Sequence, residues 1–121
     1  MEIKKIDGEF SICKVKDFSL VKWESEYIFI GNTDEENSLV CLTDDVPANT
    51  TEREDRWRAF RVHGTLDFSL IGIIAKISTL LADSRIGIFV ISTYNTDYIL
   101  TKQDNYAKAL HILELAGYQV L

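Results

Sequence analysis

Residues 57–100 read WRAFRVHGTLDFSLIGIIAKISTLLADSRIGIFVISTYNTDYIL, and this stretch decides the fold. Trp57 to His63 alternates, with Phe60 and Val62 on one face, which predicts a strand. Gly64 to Phe68 predicts a loop. From Leu70 the period changes. Leu70, Ile73, Ile74, Ile77, Leu80 and Leu81 recur at the spacing that lines one face of a helix. Asp67 or Ser69 is placed to cap it, because a short side-chain oxygen accepts from the free amides of a first turn. Ile86 to Tyr94 is almost continuously apolar and predicts a buried central strand. Asn95-Thr96-Asp97 predicts a turn, and Tyr98 to Thr101 the return strand of a hairpin.

Toward the C-terminus, Tyr106, Ala109, Leu110, Leu113 and Ala116 predict a second helical face. Gly117 stands where a left-handed cap ends such a helix. Tyr118 to Leu121 predicts a last short strand. The order is β-α-β-β-α-β, so the expected class is α+β with a ferredoxin-like arrangement.

Toward the N-terminus the pattern is thinner. Phe10 to Val15, Tyr27 to Ile30 and Leu39 to Leu42 predict strands. Residues 43–56 contain the only proline and few apolar residues, and predict an exposed connection. Asp-Phe-Ser-Leu occurs twice, at Asp17–Leu20 and Asp67–Leu70. Only six residues separate Leu20 from Tyr27, a span of about 9 Å as helix, too short for a long helix. The expected organisation is therefore a shortened unit over 1–56 and a complete one over 57–121.

Charge narrows the function. The 121 residues carry 13 basic and 19 acidic groups, a formal charge of −6, which gives no pull toward phosphate backbones or anionic lipid. No apolar run reaches the roughly 20 residues of a membrane helix. The expected compartment is the cytoplasm, with no nucleic-acid or membrane partner. Cys13 and Cys41 have no CxxC spacing and no nearby histidine, so neither a metal site nor a cofactor is expected.

The two motifs at 67–72 and 91–98 together resemble the ACT domain, and within it the small bacterial tandem-ACT branch related to CASTOR-type arginine sensors. The resemblance covers about residues 57–116 well and 1–56 faintly. It implies a non-catalytic regulatory module that binds an amino acid between ACT units. It implies ligand contacts at Gly87, Ile88, Thr93, Tyr94 and Asp97, and a loop at Asp67, Phe68, Ser69 and Leu70 that closes over the ligand. Gly72 lies five residues after the Asp, later than in common ACT units. Two units in one chain imply a homodimer.

The residues themselves leave alternatives open. An amino acid's ammonium needs a carboxylate, which Asp97 offers, but Asp97 equally suits a turn bonding its own backbone. Asp67 and Ser69 equally suit plain capping. Gly87 either relieves crowding or admits a close backbone approach. Two other classes compete with the sensor. One is a protein–protein adaptor that uses the acidic first half and no small ligand. The other is an acylphosphatase-like enzyme, which needs an arginine and an asparagine that the loop at Gly64–Phe68 lacks.

Overall fold

From Glu2 the chain runs extended for fourteen residues, and this first strand, β1 (Glu2–Val15), begins well before Phe10. The sequence hid its start because Ile3 and Ile6, both buried, are three apart, a spacing alternation does not recognise. Six further strands and two helices follow in the computed structural model, which describes residues 1–63 and 72–121. They are β2 (Ile28–Asn32), β3 (Asn37–Leu42), β4 (Thr50–Val62), α1 (Ile73–Asp83), β5 (Phe89–Ser92), β6 (Asp97–Lys102), α2 (Gln103–Leu115) and β7 (Gln119–Val120). The fold is α+β and built of ferredoxin-like units.

Two compact units form. One comprises Met1–Asp7 with Arg58–Leu121, the other Gly8–Trp57. β1 and β4 are long enough to supply a part to each.

In the larger unit the strand order is β5-β6-β4-β1, with β7 parallel to β1 through Glu2–Gln119 and Ile3–Val120. Ile77 and Leu81 of α1 and Ala109, Leu110 and Leu113 of α2 pack with Ile3, Phe60, Val62 and Ile99 into one core. Ile73, Ile74 and Leu80 lie against it half-buried, as the helical spacing predicted. Gly72, at φ 79°, occupies the N-cap of α1 with no side-chain cap bond. The expected caps, Asp67 and Ser69, lie outside the described residues. Gly117 takes the left-handed backbone expected of it, at φ 100°.

The smaller unit has the order β2-β3-β1-β4. Its core is Cys13, Val15, Val21, Leu39 and Cys41, with Phe18, Ile28 and Val46 against it. Two expectations are corrected. Thr50 to Arg56 is not an exposed connection but the first half of β4, with Thr51 bonded to the Lys14 carbonyl at 3.1 Å. Its polar, mostly exposed side chains gave no apolar alternation to read, because sheet pairing there rests on the backbone. Ile86 to Tyr94 is not a central strand either. Only Phe89–Ser92 is paired, at the sheet edge, and Val90 is exposed.

Candidate functional site

The β5–β6 hairpin turns on a threonine. The Thr93 amide and hydroxyl both donate to the Thr96 carbonyl, at 2.9 and 3.0 Å. The Thr96 side chain is buried, and its hydroxyl donates to the Val62 carbonyl at 2.7 Å. The turn is thus fixed to the C-terminal end of β4, where the chain enters residues 64–71. Asp97 is not a turn residue but the first residue of β6. The Ser92 hydroxyl, directly opposite in the register, donates to its Oδ1 at 2.5 Å. That bond occupies one carboxylate oxygen and orients the group. Tyr94 projects from the turn, 80% exposed.

Gly87 and Ile88 precede β5 rather than lying inside a strand. Ile88 rests half-buried against the core of its unit. Gly87 is exposed, and a Cβ built on it would meet nothing within 4 Å. Among the described residues, neither packing nor a left-handed backbone calls for glycine there. Gly87–Ile88 and Thr93–Asp97 stand at opposite ends of β5, whose four residues span about 13 Å. Among the described residues they therefore lie along an edge, not around a closed pocket. The remaining expected site residues, Asp67, Phe68, Ser69 and Leu70, lie outside the described residues. Ser92 and Thr96 were missed from sequence. Their only signal there is a pair of hydroxyl residues flanking the turn.

The smaller unit repeats this hairpin. The Thr33 amide donates to the Glu36 carbonyl at 3.0 Å, as Thr93 does to Thr96, and β3 and β6 share one burial pattern. Its Asp-Phe-Ser-Leu copy is closed on itself. Asp17 Oδ1 accepts from the Ser19 amide at 3.0 Å, from the Ser19 hydroxyl at 2.5 Å and from Asn49 Nδ2 at 3.0 Å. The Ser19 hydroxyl and amide hold the Asp17 carboxyl below its ordinary range. These donors tie the carboxylate to its own loop and to Asn49.

A separate cavity of about 220 Å³ lies beside the start of α1, lined by Gly72, Ile73, Lys76, Gly117 and Tyr118 among others. None of the expected ligand contacts among the described residues lines it. Cys13 and Cys41 are free and buried, and the Cys41 thiol is pushed up by a hydrogen bond with Cys13 and by burial. Among the described residues no three His, Cys, Asp or Glu side chains converge as a metal site. No helix among them is long and apolar enough to cross a membrane.

A family model described as "ACT domain" matches residues 52–114. The human cytosolic arginine sensor for mTORC1 subunit 1 is 33% identical over 66 residues, which cover 54% of this chain. The matched region spans 20% of that sensor's length. The crystal structure of protein Atu0741 from Agobacterium tumefaciens is similar with a TM-score of 0.86 and 28% identity, over 99% of this chain and 91% of that one. The regulatory subunit of aspartate kinase from Thermus thermophilus shares the fold at a TM-score of 0.66 and 12% identity, over 97% of each chain.

Proposed function

Because the chain belongs to the ACT domain family, we propose that it is a non-catalytic regulatory module that binds an amino acid along the open edge of β5. A second copy of the chain would bring an ACT unit against that edge and complete the site. Gly87 carries this reading: an exposed glycine that, among the described residues, has open space around it and no packing need for glycine suits a site where something outside the chain approaches the backbone. The Asp97 carboxylate, oriented by Ser92, would take the ligand ammonium. Thr93 and Tyr94 would flank it, and Asp67 to Leu70 would close over it. The similarity to an arginine sensor supports an amino acid as the ligand class. Occupancy would then favour one dimer geometry over another, by as much as the two differ in affinity for the ligand.

The test is a thermal-shift screen of the protein against the twenty amino acids. A ligand at about 100 times its dissociation constant should add about 2.7 kcal/mol of stability. One or two amino acids should raise the melting temperature, and Asp97→Ala should abolish that rise while leaving the ligand-free melt close to wild type. A flat screen well above working concentrations sinks the sensor reading in favour of an adaptor. Wild-type affinity in a folded Asp97→Ala variant sinks the site.

A further inference from the structure

In the smaller unit, residues 16–27 join β1 to β2 by two successive turns. The segment is pinned from below. Val21 is buried in the unit's core, and its amide donates to the Phe18 carbonyl at 3.4 Å. It is pinned again at its far end. The Ser25 hydroxyl donates to Asp45 Oδ2 at 2.7 Å, and Lys22 pairs with Asp45 Oδ1 at 3.5 Å. Between and beside these pins, two large apolar side chains face solvent, Leu20 at 54% and Trp23 at 61% exposure. Three residues apart, their Cα atoms lie within about 10 Å of each other.

An exposed tryptophan held on an anchored segment beside an exposed leucine is the composition of an interface anchor. The surroundings select the partner. Gly8–Trp57 carries 5 basic and 12 acidic residues. Glu24 and Glu26 follow Trp23 in the chain and are exposed, Asp44 beside Asp45 is exposed too, and Lys22, next to Trp23 in sequence, is already paired with Asp45. Two copies of so acidic a unit repel, whereas a cationic segment is attracted to it.

We propose that Leu20 and Trp23 form a docking surface for a basic protein segment that carries apolar anchors. The surface uses none of the residues assigned to the amino-acid site. Its apolar pair supplies the anchor, and the acidic charge of the unit supplies orientation and the speed of encounter.

The probe is a synthetic amphipathic peptide of lysine and leucine, with a glutamate–leucine peptide of the same apolar content as its counterpart. In a Trp57→Phe background Trp23 is the one remaining tryptophan, and its emission should move to shorter wavelength as the lysine–leucine peptide docks. The indole N–H resonance of Trp23 in the wild-type chain gives the same readout if Trp57→Phe fails to fold. Affinity should fall about tenfold or more as salt rises from about 50 mM to about 500 mM. Trp23→Ser, and more weakly Leu20→Ser, should lower affinity by about tenfold without changing the fold. Equal binding by Trp23→Ser, or equal binding of the glutamate–leucine peptide, overturns the proposal. So does a wild-type dimer that becomes monomeric in Trp23→Ser by sedimentation velocity, because the occupant is then a second copy.

Discussion

The Thr96 hydroxyl reaches from the β5–β6 turn to the Val62 carbonyl at 2.7 Å and is shut away from water. Replacing Thr96 by Val keeps the shape but removes the donor, leaving a buried carbonyl without its partner. We expect Thr96→Val to cost about 1–3 kcal/mol, read as a lowered urea midpoint with an unchanged slope. Ligand-dependent stabilisation should weaken further, since the turn carrying Thr93, Tyr94 and Asp97 loses its tie to β4. Little of this was legible beforehand. Asn95-Thr96-Asp97 reads as a turn because those residue types favour turns. Nothing local says that Thr96 points inward or that Asp97 begins a strand opposite Ser92. Both facts come from the register Ser92–Asp97, which is set by the pairing of whole strands.

Elements with a strong apolar period were legible in the sequence, and elements held by backbone pairing were not. The spacing from Ile73 to Leu81 located α1, and the short run at Leu39–Leu42 located β3. The polar half of β4 was lost because its exposed side chains carry no apolar period, and β5 was read too long because the apolar run from Ile86 to Tyr94 does not mark where pairing starts and stops. The repeat explains the asymmetry of the two units. The residue before the 3-10 turn Thr43–Asp45 and the residue before α2 share a backbone geometry, φ −59° and ψ 142° at Leu42, φ −59° and ψ 145° at Lys102. One copy stops after three residues; the other continues for thirteen. The longer helix is fastened by Tyr106, whose hydroxyl donates to the Ala59 carbonyl of β4 at 2.6 Å while Arg58 stacks over its ring at 4.8 Å. Burial pushes the Tyr106 phenol above its ordinary value of 10.0, against the opposing pull of Arg58. The neutral phenol is therefore favoured in the folded state. Its contribution is complete below the unfolded value and is lost as pH rises through the folded one. Tyr106→Phe should cost about 1 kcal/mol at neutral pH. The variant should also lose stability less steeply than wild type above about pH 10, measured as urea midpoints across an alkaline series.

At the scale of the whole molecule, the first seven residues matter out of proportion to their length. The sequence assigned them no strand. Yet they supply the strand between β4 and β7 in the unit that carries the candidate site. The His63 amide donates to the Glu2 carbonyl at 2.9 Å, Gln119 to Met1 at 3.0 Å, and Leu121 to Ile3 at 2.8 Å. Ile3 is fully buried in the core with Phe60, Val62, Ile77 and Leu113. A plain βαββαβ unit would close its sheet with its own last strand; here β7 pairs with β1 instead. Gly8, at φ 103°, marks the point where β1 leaves this unit, and a Cβ there would stand 2.8 Å from Leu42 Cδ2. The complete unit is thus complete only with residues from the other end of the chain. Ile3→Ala should cost about 2–5 kcal/mol, the usual range for emptying a buried isoleucine site. A chain starting at Gly8 should lose cooperative unfolding of 58–121, because β4 and β7 are left without the strand that joins them. Circular dichroism melts of both variants check this. A sharp, wild-type-like transition in the truncated chain would show that β7 can pair with β4 directly and that the N-terminal strand is dispensable.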